Sequence, residues 1–354
     1  MARTITDFAS YLVGPELRLR DVMARINQLI PPMLIVASED RRFLGTITDG
    51  DIRRLLLRGG GNDSLAREIM QPHSTTGLVS TPQDNRRKLD ALVATIRFLP
   101  VLNEDGTVAH LLLEDGPGLR SITALVMAGG FGRRLGDLTR TTPKPLLPVA
   151  GRPILDHVLE SLESAGIRRI FISTHYLADQ IESFVEKRDS IAKVRLVHET
   201  APLGTGGAIG LLPSEYRTEG DLIVLNGDLI SDVSFDGLVA FHRAHGHNAT
   251  ICVKEHRTPI EFGVIHFSDN NEFERIEEKP ELSHFIAAGI YILDPAIAGL
   301  TKPGVRTDMP DLLNRARDVG LKVGVFPVHE HWIDVGRPRD LASAEKHGSE
   351  GKRP

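Results

Sequence analysis

"ITALVMAGGFGRRLGDLTRTTPKPLLPVAGRPILDHVLESLESAG", residues 122–166, runs from an apolar segment through glycines and positive charges into an amphipathic stretch. Residues 122–128 are almost uniformly apolar, the pattern of a strand covered on both faces. Beyond the loop, Ile154, Leu155, Val158, Leu159 and Leu162 recur three or four residues apart and Gly166 supplies a stop, which predicts a helix. The alternation continues: "RRIFIST" (168–174), "KVRLVHE" (193–199) and "DLIVLNGD" (221–228) read as strands, with "LADQIESFVEKR" (177–188) as a helix between the first two. Apolar strands divided by amphipathic helices imply an α/β fold with a mainly parallel sheet covered on both sides. "FGVIHFSDNNEFERIEEKP" (262–280) reads as a hairpin turning at Asn270 and Asn271, an antiparallel insert expected to cover that sheet.

The chain has 354 residues, room for two domains. A hydrophobic share of 41% and a charged share of 25% suit a soluble globular protein. The net charge of -5 argues against a nucleic-acid or membrane-surface partner, so any positive site must be local. Cys252 is the single cysteine, which excludes an internal disulfide and a multi-cysteine metal cage and suits a reducing cytoplasm. "MARTITDFASYLV" carries no basic-then-apolar signal pattern and no run approaches a membrane span, so a cytoplasmic protein is expected.

Ahead of this lies an internal repeat. "LIVASEDRRFLGTITD" (34–49) and "LPVLNEDGTVAHLLLE" (99–114) align at an offset of 65 residues, 34 to 99, each preceded by a helix-like stretch. A further helix, "DGDIRRLLLRGG" (49–60), follows the first copy, with Asp51 in its first turn. Period and pattern, "GTITDGDIRR" above all, resemble a pair of CBS modules, which implies a small α+β regulatory or dimerising unit over 1–118, a linker in "EDGPGLRS" (114–121), and a second domain over 122–348. In such modules a hydroxyl followed by an acid contacts a nucleotide ribose; Thr46, Thr48 and Asp49 keep that pattern. The second copy has Leu111, Leu113 and Glu114 there, so at most one site for an adenine or guanine nucleotide is implied, with dimerisation or packing as the alternative role.

The glycine loop at 129–136 fits neither common phosphate motif. No Lys-Ser or Lys-Thr follows glycine, and a Gly-x-Gly-x-x-Gly count from Gly130 ends on Leu135. What remains is a strand followed by glycines small enough to bring backbone N–H groups against a polyanion. Residues 129–152 hold Arg133, Arg134, Arg140, Lys144 and Arg152 against one acid, Asp137. A triphosphate suits that local excess; a basic surface loop is the plain alternative. "GGFGRRL…PKPLLPVAGRP" resembles the signature of sugar-1-phosphate nucleotidyltransferases, G-G-x-G-T-R-L…P-K-P, with Arg133 where the family has Thr. The resemblance extends over about 122–345 and implies a Rossmann-like fold. Ala128, Gly129, Gly130 and Gly132 then fall on the nucleotide loop, and Arg134 and Lys144 on the phosphate-binding arginine and lysine.

The same resemblance gives roles to later motifs. Asp228 ("NGD") and Asp334 ("HWIDVGRP") are implied metal ligands for Mg²⁺, a hard cation held by carboxylates and phosphate oxygens. Lys279 is implied to hold the sugar phosphate and Glu278 the sugar hydroxyls, although without the family match an exposed hairpin ion pair is the preferred account of "EEKP". Gly263, Ala288 and Gly289 fall on sugar-pocket positions, with Ala288 a departure from the family's Asn-Thr-Gly or Asn-Ala-Gly. "HETAPLGTGGAI" (198–209) is similar to the nucleobase loop, placing Glu199, Gly204, Thr205 and Gly206 there, though a glycine turn before a helix explains it as simply. Its wording is most similar to guanylyltransferases of mannose-type, heptose or hexosamine phosphates, including a glucosamine-1-phosphate type. The expected partners are therefore an NTP, GTP favoured over UTP, dTTP or CTP, and a sugar 1-phosphate, in a homo-oligomer. A catalytically degenerate, nucleotide-sensing regulatory subunit is the competing expectation. His242, His245 and His247 lack a second cluster to complete a tetrahedral metal site.

Overall fold

The computed structural model describes residues 2–26, 28–29, 31–92, 96–115 and 119–350. Its centre is a seven-stranded sheet with the strands in the order Lys193–His198, Arg169–Thr174, Thr123–Met127, Leu222–Asn226, Glu281–Leu293, Ala249–Pro259 and Val323–Pro327. Glu281–Leu293 runs antiparallel to both neighbours, while the other pairings are parallel. The apolar run at 122–128 occupies the middle because both of its faces are covered. Ala124 and Val126 point into one core with the helix Ile154–Ser164, and Leu125 points into the other with the helix Met309–Asp318. All three are fully buried. Mixed α/β architecture with a mainly parallel sheet is thus observed.

The insert departs from expectation in its placement. The hairpin of Val264–Phe267 and Phe273–Glu277 forms, turning through Asn271 at φ 63°, but its apolar side chains do not lie on the sheet. Phe267 is 63% and Phe273 65% exposed. The strands Ala249–Pro259 and Glu281–Leu293 stay paired to Pro259↔Glu281, whereas their flanking partners register only with Ala249–Val253 and Ile290–Leu293. The long ribbon therefore carries the hairpin past the sheet.

The internal repeat is three-dimensional. Leu12–Val13, Met33–Ala37 and Phe43–Thr48 build one sheet, and Gly77–Leu78, Ile96–Leu102 and Val108–Asp115 join Arg3–Ile5 in another. In both copies a short strand pairs parallel with the first arm of an antiparallel hairpin, and Leu12 to Gly77 repeats the 65-residue offset. The expected linker includes residues 116–118, which lie outside the described residues; Leu119 already belongs to the main core. The helix Asp49–Leu57 leaves the first copy and packs against the helix Phe235–Ala244 and the strand Val323–Pro327 of the larger unit. No helix among the described residues is long and apolar enough to cross a membrane.

Candidate active site

The carboxyl ends of Thr123–Met127 and Leu222–Asn226 open onto a cavity of 580 Å³. Ala128, Gly130 and Gly132 line it with Arg133, Arg134, Lys144, Asp228 and Arg306. Ligands of open α/β sheets collect at this edge because the loops leaving the strands diverge there. Gly132 sits at φ 64° and a Cβ on it would stand 2.8 Å from Thr139 Cγ2, so the turn into the segment Arg133–Thr139 requires glycine.

Lys144 starts a short turn between Pro143 and Pro145 and is 7% exposed. Its ammonium donates to Asp228 Oδ2 and lies 3.5 Å from Asp334 Oδ1. The two acids are neighbours because the strand Leu229–Ser231 pairs with Trp332–Asp334 in the register Leu229↔Asp334, and Val335 N donates to Asp228 O at 3.1 Å. Asp228 Oδ1 and Asp334 Oδ1 are buried without a hydrogen-bond partner. Burial, then the charge of Asp228, raises the Asp334 pKa against the opposing pull of Lys144 and Arg134. Two adjoining carboxylates with spare oxygen lone pairs, one of them strained in its ionised form, fit a hard divalent cation. Asp49, His329 and Glu330 form a second cluster of potential ligands, but the Arg53 guanidinium fills it.

A second cavity of 330 Å³ shares Met127, Gly130, Arg134 and Asp228 with the first and adds Gly129, Glu199, Gly204, Thr205 and Asn226. Glu199 is 5% exposed and accepts the Leu203 N–H at 2.9 Å. Thr205 Oγ1 accepts from Met309 N at 2.8 Å, Thr205 N donates to Asp308 Oδ1 at 3.2 Å, and Gly206 N donates to Thr307 O at 2.8 Å. Much of the polarity of segment 204–207 is thus engaged in holding segment 305–309.

None of the sugar-pocket residues lines either cavity: Gly263, Glu278 and Lys279 sit where the hairpin meets the ribbon, and Ala288 and Gly289 on the strand Glu281–Leu293, Gly289 against the lining residue Asn226. A Cβ on Gly263 would lie 3.1 Å from Glu278 Oε2, and Lys279, at φ 47°, is exposed beside it. Ala288 O accepts from Trp332 Nε1 at 2.8 Å, and Gly289 packs on Asn226. In the front unit Thr46 is buried with its hydroxyl 2.6 Å from Ser74 Oγ, Thr48 Oγ1 donates to Asp51, and Asp49 pairs with Arg53. Thr48 and Asp49 line a separate cavity of 240 Å³ with Phe98 and Phe241.

Sequence reasoning did not single out Asn226, Phe131 or Arg306. Asn226 stands in "NGD" beside Asp228 and was legible as part of that motif. Arg306 had no signal, being an exposed arginine in a loop that the fold brings to the cavity from the far side of the glycine loop.

Residues 123–350 match the nucleotidyl transferase family. The mannose-1-phosphate guanylyltransferase catalytic subunit beta of Drosophila pseudoobscura pseudoobscura is 36% identical over 224 residues, covering 62% of this chain and 60% of that protein. Its Danio rerio counterpart is 34% identical over 226 residues, covering 62% of each chain. This chain thus spans about three fifths of the length of the curated relatives it matches. A Bacillus anthracis crystal structure, assigned as a glucose-1-phosphate thymidylyltransferase in complex with a sucrose, superposes with a TM-score of 0.52 at 24% identity, over 64% of this chain and 95% of that one, and shares the fold.

Proposed function

The chain belongs to the nucleotidyl transferase family, and on that premise we propose that it joins an NTP, GTP by preference, to a sugar 1-phosphate, giving an NDP-sugar and pyrophosphate for surface polysaccharide or glycan precursors. The observation that carries this reading is the Lys144 ammonium set against both Asp228 and Asp334 under a cavity walled by Arg133, Arg134 and Arg306. The guanylyltransferase names of the relatives support GTP, and Glu199 supplies an acceptor for a base amino group. Asp228 and Asp334 would hold Mg²⁺, which supplies neutralising charge for the polyphosphate when bound.

An oxygen of the sugar 1-phosphate attacks the α-phosphorus in line; the new O–P bond forms as the bond to the bridging oxygen of pyrophosphate breaks, and that oxygen carries the electron pair away. Arg134 and Lys144 hold the triphosphate, Lys279 holds the attacking phosphate, and Glu278, Gly263, Ala288 and Gly289 cradle the sugar. Positioning and electrostatics carry the catalysis. The front unit is a CBS pair in this reading, and the engagement of Thr46 with Ser74 and of Asp49 with Arg53 favours packing, in a homo-oligomer, over nucleotide binding.

The test is a matrix of common NTPs against hexose, hexosamine and heptose 1-phosphates, read by pyrophosphate release. GTP with one of these sugars is expected to give release, and Asp228→Asn or Lys144→Ala to lower it at least ~100-fold, the scale of losing an electrostatic stabiliser. Release with another NTP revises the base. Silence across the matrix identifies a degenerate, nucleotide-sensing subunit instead.

A further inference from the structure

Among the described residues the largest fully buried side chain is a charged one, Arg53, at 0% exposure on the helix Asp49–Leu57 of the front unit. An arginine is buried whole only where its fork is satisfied. Here all five N–H groups have acceptors. Nε donates to Asp49 Oδ2 and Nη2 to Asp49 Oδ1 at 2.9 Å; Nη2 also reaches Glu330 Oε1 at 2.6 Å; Nη1 donates to Pro327 O and reaches Glu330 Oε2 at 3.4 Å. The guanidinium carbon stands 3.6 Å over the Phe326 ring centroid. Glu330 and Pro327 belong to the catalytic unit, so one residue of the front unit is bolted into the other.

What Arg53 grips leads directly to the catalytic acid. Glu330 precedes Asp334 by four residues, and the chain between them has little slack. Asp232 N holds His331 O at 3.0 Å, Trp332 Nε1 is tied to Ala288, and Trp332–Asp334 pairs with Leu229–Ser231. On the other side, Val328 N donates to Val253 O at 2.7 Å and Lys254 Nζ to Glu330 O at 2.9 Å. Without Arg53, Asp49 and Glu330 would face each other as half-buried carboxylates with only the His329 ring, 4.0 Å from Asp49 Oδ1 and 3.7 Å from Glu330 Oε2, against both. Glu330 would leave for water and draw segment 329–334 with it.

The geometry points to Arg53 as a positioning residue of the transfer reaction, holding the Asp334 carboxylate beside Asp228 from a unit whose described residues contribute no group to the cavity. This rests on the metal role of Asp334 in the reading above. It makes the front unit a part of the metal site's support, and therefore a place from which that site's affinity is set.

The experiment uses the full chain and Mn²⁺ alone, titrated and read by electron paramagnetic resonance of the free ion, with Asp334→Asn to assign the site. Wild type is expected to show binding that Asp334→Asn removes, and Arg53→Ala to weaken that binding by about tenfold, as support shells of metal sites commonly do. Arg53→Lys, which keeps a charge but cannot span both acids, is expected to fall between. If Arg53→Ala does not fold, Arg53→Lys and Glu330→Gln carry the same test. Folded variants with wild-type Mn²⁺ affinity and merely lowered melting temperatures overturn the positioning role and leave the reaction standing. A wild type with no Asp334-dependent Mn²⁺ binding overturns the metal reading and this inference together.

Discussion

Lys144, Asp228 and Asp334 show what a residue must tolerate to serve this site. The Asp334 pKa is raised by burial and then by Asp228, so folding penalises its ionised form. A carboxyl shifted that way costs stability as pH rises above its unfolded value toward its folded-state pKa. Asp334→Asn removes the charge and keeps the shape. Its melting temperature at pH 7 is expected to equal or exceed wild type while pyrophosphate release falls at least ~100-fold. A fall in both would show that the acid supports the fold instead of being tolerated by it; calorimetry beside the activity assay decides. Lys144 stood out in the sequence by its flanking prolines, and Asp228 and Asp334 only by their motifs' resemblance to the family's, since either acid alone reads as a turn or cap residue; the fold brings the three side chains together. Arg53 did not stand out. Its acceptors Pro327 and Glu330 lie 274 and 277 residues away, and within "GDIRRLLL" it reads as an ordinary helix surface residue.

Among the elements, the glycine segment Gly204–Gly207 and the helix Met309–Asp318 act as one piece. Gly204, at φ 79°, admits no Cβ, which would stand 2.4 Å from Asp308 Oδ1. That approach lets Thr205 Oγ1 take the Met309 amide, an N-terminal amide of a helix whose Asp308 makes no side-chain cap bond. Thr205→Val keeps the volume and removes the acceptor, leaving the amide orphaned at a cost of about 1–3 kcal/mol. The expected outcome is a lower melting temperature and a raised KM for the NTP, with kcat changed less, because segment 305–309 also carries Arg306 to the cavity. An unchanged KM would uncouple the latch from the nucleotide. The glycines were readable as a close-approach loop, but what approaches them was not: the partner is a loop about a hundred residues on, and its register depends on the whole sheet being formed. The hairpin at 264–277 shows the converse. Its turn was readable from Asn270 and Asn271, yet where the arms lie depends on how far the ribbon outruns its neighbours.

Across the whole molecule, two units share one ionic seam, and its pH dependence follows from the groups that face it: Arg53 and Asp49 from the front unit, His329, Glu330 and Lys254 from the other. The alternation of apolar strands and helices made the larger unit legible and the 65-residue repeat made the smaller one legible; their docking depends on side chains that neither pattern constrains. Burial tends to raise the Glu330 pKa, but the charge and hydrogen bonds of Arg53 outweigh it and bring it down to about 2. A depressed carboxyl stabilises the fold at pH values above its unfolded value of 4.5 and loses that contribution as pH falls toward 2. A shift of this size corresponds to on the order of 3 kcal/mol. His329, lowered chiefly by burial, adds a loss at higher pH, since the unfolded chain takes up its proton first as pH falls below 6.5. Denaturant midpoints measured from pH 7 to pH 2.5 are therefore expected to fall for wild type in two steps. Glu330→Gln, less stable than wild type at pH 7, is expected to fall less over the lower step, so that the gap between the two curves narrows as pH approaches 2.5. Asp156 and Glu163, also lowered by their arginines against burial, act on both curves. Parallel curves would place the acid sensitivity outside the seam and reduce Arg53–Glu330 to a contact of no energetic consequence.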